Sequence, residues 1–187
     1  MSGIPRADAP RLVVLNGPPG VGKSSVARQL RDLRPGTVAI EGDALRAFVS
    51  DQAKAHLGGG STYRAAGALA GTYFTMGAAR VVFDYVFLRP SHVAHFVEAA
   101  PDGVFVHLFT LWAPLDVVVA REASRAGRDR LGDAVRECYI EIRANLAELG
   151  LMLDAAKAVP DDLAARIDAL VAEGAGVLRA PPGTRRK

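Results

Sequence analysis

The chain has 187 residues, a formal net charge of +3 and a hydrophobic content of 50%. This composition suits one globular domain and excludes an intrinsically disordered chain. The modest charge and the lack of a basic face with aromatic platforms argue against a long nucleic-acid track. No apolar run is long enough to span a membrane. Cys138 is the single cysteine, so no internal disulfide is possible, and we expect a cytoplasmic protein in which this residue is a small buried hydrophobe.

The first apolar segment leads directly into a glycine-rich motif. Residues 11–16 predict a central parallel strand that is buried on both faces. The following residues match G-x-x-x-x-G-K-[ST], the phosphate-binding P-loop, and residues 24–33 predict a helix after it. We expect ATP to contact Gly17, Pro18, Pro19, Gly20, Val21, Gly22, Lys23, Ser24 and Ser25.

The residue types of this motif each have a chemical reason. Glycines allow successive backbone N–H groups to point inward at an anion, and the following helix directs its N-terminal dipole at the same place. Lys23 can reach the β- and γ-phosphates, and the Ser24 hydroxyl can join a Mg²⁺ shell.

A second β-type run, residues 37–41, is followed by Asp43. Sites in open α/β sheets form beyond the carboxyl ends of the strands, so this carboxylate stands where catalysis is expected. Asp43 can equally be the N-cap of a helix over residues 44–49, and the two roles are compatible. The glycines of residues 57–62 indicate a connector or a substrate flap, after which Ser61 or Thr62 is expected to cap a helix running to residue 79.

The third strand is predicted over residues 80–88 and is apolar apart from Asp84. An acid at the end of such a strand in a P-loop protein is a candidate to hold the Mg²⁺ shell. A helix over residues 91–99 carries His92 and His95, which we interpret as packed or surface residues because no third metal ligand is evident. His107, on a fourth strand over residues 103–111, is expected to be half-buried and hydrogen-bonded.

Pro114 opens a further helix that runs into an arginine-rich segment, residues 121–131. Arginine's planar fork suits phosphate oxygens, so we expect a lid that clamps the transferring phosphate, and its alternative is a solvated helix end. The four arginines of this segment are Arg121, Arg125, Arg128 and Arg130. An amphipathic helix over residues 131–148, a short strand over 151–154 and a helix from Pro160 complete the pattern.

Five strands with intervening helices predict one α/β domain. The expected architecture is the three-layer P-loop NTPase fold with a five-stranded parallel sheet and an arginine-rich lid. It extends over residues 11–178, between a disordered N-terminus of residues 1–10 and a basic disordered tail of residues 179–187.

With these motifs the chain resembles the small P-loop kinases. It is most similar to the chloramphenicol phosphotransferase-like branch, beside gluconate, shikimate and adenylylsulfate kinases, through residues 40–46, 83–88 and 121–130. The resemblance implies that Asp43 acts on the substrate hydroxyl and that Asp84 is the acid after the third strand. It also implies that the lid arginines that clamp the phosphate lie among Arg125, Arg128 and Arg130. One departure is Tyr85, which stands where the phosphotransferase often has a second acid.

The motifs and the resemblance together predict a kinase that uses ATP and Mg²⁺ and phosphorylates a hydroxyl of a small molecule. This acceptor is antibiotic-like, sugar-like or a related metabolite, and the candidate acceptor residues are Arg46, Phe48, Tyr63, Phe87 and Arg89. A nucleotide-binding switch is the alternative from another class, although no guanine-reading N/T-K-x-D motif follows the fourth strand. A toxin-type kinase of a sugar nucleotide or an RNA-end kinase is the third. The acceptor and the oligomeric state are left open by the sequence.

Overall fold

The computed structural model of the protein describes residues 9–124 and 131–180. Its strands are β1 (Arg11–Asn16), β2 (Thr37–Glu41), β3 (Arg80–Asp84), β4 (Phe105–Trp112), β5 (Leu151–Asp154) and β6 (Val177–Arg179). Its helices are α1 (Lys23–Leu33), α2 (Gly42–Ala47), α3 (Asp51–Leu57), α4 (Ser61–Thr75), α5 (Pro90–Ala99), α6 (Leu115–Ala123), α7 (Asp133–Asn145) and α8 (Pro160–Ala172). A 3₁₀ turn, Leu146–Glu148, follows α7. Among the described residues, no helix is long and apolar enough to cross a membrane.

The sheet has the order β2-β3-β1-β4-β5, and all pairs along this path are parallel. Because side chains alternate between the faces of a strand, β1 supplies both sides of the core. Val13 and Leu15 pack with α1, α6, α7 and α8 on one face, whereas Leu12 and Val14 pack with α4 and α5 on the other. The three-layer P-loop fold with a parallel sheet is confirmed.

β6 is a sixth strand that the sequence analysis did not predict. It pairs antiparallel with the first half of β4, at the edge where β5 pairs with the second half. The Arg179 guanidinium donates to the carbonyl oxygens of Val97 and Pro101 at 2.8 and 2.5 Å. These bonds hold in the sheet a residue that the sequence analysis assigned to the tail.

Several element boundaries differ from the predicted ones for local reasons. β3 ends at Asp84 rather than at residue 88, because the chain then leaves the sheet. Asp43 is not an N-cap, since Glu41 is the N-cap of α2 and Asp43 lies in its first turn. Gly60, not Ser61 or Thr62, precedes α4, and no side chain caps this helix. α3 occupies part of the segment before the glycine loop, where no helix was predicted.

The strand register brings the chemically active segments to one edge. Leu15 of β1 lies opposite Asp84 of β3, and Glu41 of β2 lies opposite the same aspartate. The P-loop, the start of α2 and the segment after β3 therefore emerge side by side at the carboxyl edge of the sheet. Ligands bind at this edge in open α/β folds.

Candidate active site

A cleft of about 1040 Å³ opens at this edge, with the P-loop at its centre. On the β2/β3 side, its walls come from α2, α4 and the segment after β3. On the β4/β5 side, they come from the end of α6, the segment after β5 and the start of α8. The first turns of α7 add a third wall. One cleft therefore has room for a nucleotide and for a second molecule on opposite sides of the P-loop.

The P-loop conformation depends on glycine. Gly17 has φ +139°, and a Cβ there would collide with the Leu111 carbonyl oxygen of β4. Gly22, at φ +106°, is the N-cap of α1, so its left-handed conformation turns the loop into the helix. The backbone N–H groups at the start of α1 thus lie at the floor of the cleft, where a helix N-terminus favours an anion.

Lys23 lies across this loop. Its Nζ donates to the carbonyl oxygens of Gly17 and Pro18 at 2.8 and 3.1 Å. The side chain is only 9% exposed, yet the residue lines the cleft. An ammonium fixed at this position can bind phosphate oxygens as a point charge.

Ser24 and Asp84 form a hydrogen-bonded pair below the P-loop. The Ser24 hydroxyl donates to Asp84 Oδ2 at 2.6 Å, whereas Asp84 Oδ1 is buried without a hydrogen-bond partner. Burial raises the pKa of the Asp84 carboxyl, and the Ser24 hydrogen bond and the Lys23 charge oppose this shift. A hydroxyl and an orphaned carboxylate oxygen are the hard oxygen donors that Mg²⁺ prefers, usually with several waters. The residues present therefore fit a Mg²⁺ ion that accompanies a nucleotide.

Asn16 does not line the cleft, but it holds the segment after β3 in place, a role that the sequence analysis missed. Its Oδ1 accepts from the Phe87 backbone N–H at 2.8 Å, and its Nδ2 donates to Thr110 Oγ1 at 3.1 Å. It is fully buried and joins β1, β4 and the segment that leaves β3. A polar residue at the end of an otherwise apolar central strand was the signal that could have revealed it.

Asp43 and Arg46, one turn apart on α2, both line the β2/β3 side of the cleft. A hydrogen bond with the Tyr85 hydroxyl raises the pKa of the Arg46 guanidinium, and the nearby Asp43 carboxylate acts in the same direction. A Cβ on Gly42 would collide with the Tyr85 ring. Glycine at this position thus lets Tyr85 pack against the start of α2.

Tyr63 reaches the same wall from α4. Its hydroxyl lies 2.7 Å from the Val86 carbonyl oxygen and 2.9 Å from His92 Nδ1, and its ring stacks on the imidazole at 4.6 Å. The Leu88 N–H donates to the same Nδ1 at 3.2 Å. Tyr63 and His92 therefore hold the backbone that follows β3.

The other predicted acceptor residues do not line the cleft. Phe87 is fully buried and packs against Phe96 in the core. Phe48 is 82% exposed, since α2 ends before it and its side chain faces away from the core. Arg89 pairs with Glu141 of α7 outside the cleft lining. Of the five predicted residues, Arg46 and Tyr63 are brought to the cleft.

The arginine-rich segment is described only at its start. Arg121 lines the cleft, and its guanidinium donates to the carbonyl oxygens of Ala155 and Ala156 at 3.0 and 2.8 Å. These bonds connect α6 to the segment after β5. The predicted clamping residues Arg125, Arg128 and Arg130 lie outside the described residues.

Cys138 and the histidines occupy defined positions. Cys138 is half-buried on the cleft-facing side of α7, not a core residue as expected, and burial raises the pKa of its thiol. His95 Nδ1 accepts from Arg64 at 2.8 Å. His107 is fully buried, and its Nδ1 bonds to the Ala175 carbonyl oxygen at 2.8 Å. Within residues 9–124 and 131–180, no group of three or more His, Cys, Asp or Glu residues could hold a metal ion.

The strand order, the P-loop and the serine–aspartate pair define a P-loop nucleotide-binding fold. Residues 12–149 match the family model AAA_33, described as AAA domain, and the chain belongs to this family. A comparison with curated proteins gives no match.

Solved structures extend this likeness over most of the chain. The tunicamycin resistance protein of Deinococcus radiodurans is 25% identical, with a TM-score of 0.63 over 92% of this chain and 99% of that chain. A gluconokinase from Sinorhizobium meliloti 1021 is 22% identical, with a TM-score of 0.57 over 88% and 95% of the two chains. Shikimate kinase from Acinetobacter baumannii is 17% identical, with a TM-score of 0.58 over 88% and 94%. These structures confirm the P-loop fold, and the likeness to the chloramphenicol phosphotransferase stays a prediction.

Proposed function

We propose that the protein transfers the γ-phosphoryl group of ATP to a hydroxyl of a small molecule, with Asp43 as the general base. The observation that carries this proposal is the meeting of three groups in one cleft: Lys23 on the P-loop, the Ser24–Asp84 pair and the Asp43 carboxylate. The first two suit a nucleotide with its metal, and the third suits a proton acceptor on the opposite side. We also infer that residues 11–178, extended by Arg179 of β6, form one kinase domain that works in the cytoplasm.

The position of Asp43 determines on which side of the P-loop each of the two substrates binds. The triphosphate contacts the P-loop, and the acceptor has to reach it from the β2/β3 side, where Asp43 lies. The nucleoside then extends to the β4/β5 side, along Arg121, Ala155 and Pro160. This arrangement lets the attacking and leaving oxygens stand on opposite sides of the γ-phosphorus, as in-line transfer requires.

In the proposed step, the acceptor oxygen bonds to the γ-phosphorus, the bond from that phosphorus to the bridging oxygen of ADP breaks, and the hydroxyl proton passes to the Asp43 carboxylate. A positioned base of this kind contributes about 10²- to 10⁴-fold. Lys23 stabilises the negative charge of the phosphoryl oxygens. Mg²⁺, held by Ser24 and Asp84, supplies further charge neutralisation when bound. In the same proposal, Arg125, Arg128 and Arg130 complete the charge neutralisation, and this role rests on the sequence alone.

The experiment that tests the proposal is an ADP-release assay with Mg²⁺-ATP and a panel of hydroxyl compounds. The likeness to a tunicamycin resistance protein supports including antibiotics, alongside chloramphenicol, aminoglycosides, sugar acids and nucleosides. We expect at least one compound to stimulate ADP release. The variant Asp43→Asn should bind ATP normally and lose about 10²-fold or more of this activity.

Asp51→Asn is the matched control, because Asp51 is an exposed carboxylate in the first turn of the neighbouring helix and lies outside the cleft lining. Full transfer by Asp43→Asn would overturn the base assignment. Equal affinity for ATP and GTP, together with no acceptor-dependent ADP release from any compound, would favour the nucleotide switch over a kinase.

A further inference from the structure

The β2/β3 side of the cleft has an unusual balance of apolar and polar groups for a site that binds a polyhydroxylated acceptor. One wall of this side is apolar. Two tyrosine rings, two aliphatic residues after β3 and the facing surface of α7 form that wall. Its members are Tyr63, Tyr85, Val86, Leu88, Leu131, Ala134 and Cys138.

The two tyrosine hydroxyls of this wall are already engaged. The Tyr63 hydroxyl contacts the Val86 carbonyl oxygen and His92 Nδ1, and the Tyr85 hydroxyl lies near the Arg46 guanidinium, whose pKa it raises. The two rings meet edge to face, with centroids 5.4 Å apart and planes at 60°. Both residues are at least nine-tenths buried. They therefore present a fixed apolar surface, and their phenols are used to hold the wall together.

Among residues 9–124 and 131–180, few charged side chains line this side. Asp84 binds Ser24, and Arg28 lies 3.5 Å from Glu41. The charged residues of α2 that line the cleft are Asp43 and Arg46, one turn apart. The Asp43 carboxylate can contact the hydroxyl to be phosphorylated, and the Arg46 guanidinium can contact a second polar group of the acceptor. The two residues therefore match an acceptor with two polar groups.

A polyhydroxylated acceptor fits this surface poorly. Each hydroxyl pressed against an apolar wall loses its hydrogen bonds to water and gains none from the protein. An apolar or aromatic body gains from the same burial, because it removes apolar surface from water. Arginine binds best to an anionic or carbonyl oxygen.

We infer that the acceptor is an alcohol with an aromatic or otherwise apolar body, which places its hydroxyl at Asp43 and a carboxylate or carbonyl oxygen at Arg46. This inference rests on the proposed function, which assigns this side of the cleft to the acceptor. It excludes sugar acids and other polyols as preferred acceptors. Val86 then determines specificity for the apolar body of the acceptor, and Arg46 determines specificity for its carboxylate or carbonyl oxygen.

Binding is measured separately from turnover. The full chain is loaded with Mg²⁺ and a non-hydrolysable ATP analogue, and ligand-observed NMR titrations give the dissociation constants of three probes. The probes are 4-(hydroxymethyl)benzoate, benzyl alcohol, which lacks the carboxylate, and gluconate, which has a carboxylate on a polyhydroxylated body. We expect 4-(hydroxymethyl)benzoate to bind at least tenfold more tightly than either of the others.

Variants test the two named contacts. Val86→Thr replaces a methyl group by a hydroxyl of similar size and should weaken binding of the aromatic probe several-fold. Arg46→Leu should remove the advantage of 4-(hydroxymethyl)benzoate over benzyl alcohol, about tenfold. Ile140→Thr also introduces a threonine at a β-branched apolar residue, on the exposed side of α7 and outside the cleft lining, and should leave all three dissociation constants unchanged.

The outcomes separate this inference from the proposed function. Tighter binding of gluconate, or no binding of the aromatic probe, overturns the inference. Phosphorylation of sugar acids in the ADP-release assay would also overturn this inference about the acceptor. The proposal that the protein is a kinase would remain. Binding of the aromatic probe with the expected variant effects supports the pocket chemistry, and a failure to phosphorylate any alcohol would then count against the proposed function alone.

Discussion

Ser24 Oγ donates a 2.6 Å hydrogen bond to Asp84 Oδ2, which joins the first turn of α1 to the end of β3. The two residues are 60 positions apart in the sequence and meet because β1 and β3 are neighbours in register. The second oxygen of the carboxylate, Oδ1, is buried and unpartnered. A buried carboxylate with an unsatisfied oxygen costs stability, and such a cost is typical of a group kept for function.

Asp84→Asn should therefore separate activity from stability. The amide keeps an oxygen acceptor for the Ser24 hydroxyl, but it removes the charge that would hold Mg²⁺. We expect Mg²⁺-dependent ADP release to fall by about 10²-fold or more. The free energy of unfolding at pH 7, measured by urea denaturation, should stay unchanged or rise, because burial disfavours the charged carboxyl.

Asp102→Asn, a change at a carboxylate whose side chain is 96% exposed, is the control and should alter neither quantity. Normal Mg²⁺-dependent turnover by Asp84→Asn would remove the residue from the proposed metal site.

Lys23→Ala should abolish transfer and leave the fold intact. Its ammonium bonds to two P-loop carbonyl oxygens, and in the proposed reaction it stabilises charge on the phosphoryl oxygens. We expect kcat to fall by about 10²- to 10³-fold, with an unchanged circular-dichroism spectrum. Lys54→Ala, at an ion pair on α3, is the matched control. A variant that lost its folded spectrum would show that Lys23 mainly supports the loop.

Arg128→Ala and Arg130→Ala test the proposed lid, which rests on the sequence alone. Each arginine is expected to stabilise charge in the transition state, so kcat should fall about tenfold or more, with little change in ATP affinity. Arg136→Ala, at an exposed position of α7 outside the cleft lining, is the control. Unchanged turnover in both lid variants would refute the lid.

The P-loop and the two aspartates could be located from the sequence because their signals are local. A buried strand followed by G-x-x-x-x-G-K-S specifies one turn geometry, and acids directly after strands fall at the carboxyl edge of a parallel sheet. Asp43 and Asp84 accordingly lie in the same cleft.

The acceptor wall could not be derived in the same way. Residues 80–88 form one apolar run, so the pattern does not show that β3 ends at Asp84 and that Asn16 then binds the Phe87 N–H. This turn buries Phe87 and brings Tyr85 to the cleft. β6 has only three residues and forms because it pairs with the free edge of β4. No local sequence pattern reveals this pairing.

Tyr63→Phe tests whether the tyrosine hydroxyl positions the segment after β3. Loss of the hydroxyl leaves the Val86 carbonyl oxygen without this donor, and we expect the free energy of unfolding to fall by about 1 kcal/mol. The KM for the acceptor should rise more than kcat falls, because the apolar wall shifts while Asp43 stays in place. Tyr73→Phe, on the same helix but outside the cleft lining, is the control. If Tyr63→Phe and Tyr73→Phe lowered kcat equally, the Tyr63 hydroxyl would have no positioning role.

His107 should make the stability of the protein sensitive to mild acid. Its imidazole is fully buried between Phe105 and Phe109, and its Nε2 has no hydrogen-bond partner. Burial lowers its pKa from 6.5 to about 4, and the nearby charges of Arg11 and Arg80 act in the same direction.

The sign follows from proton binding. Between pH 6.5 and about 4, the unfolded chain binds a proton at His107 that the folded chain does not, so stability falls as the pH falls through this range. The total contribution is about 3 kcal/mol, all of it present above pH 6.5 and lost near pH 4. Urea denaturation at half-unit pH steps measures this slope.

His107→Gln removes the titrating group and keeps a donor for the Ala175 carbonyl oxygen. We expect the variant to show a shallower loss of stability between pH 6.5 and 4 than the unmodified protein. His56→Gln, at an exposed position of α3, should keep the original slope. If the two variants had the same slope, the acid sensitivity would come from other groups, and the neutral buried state of His107 would not contribute to it.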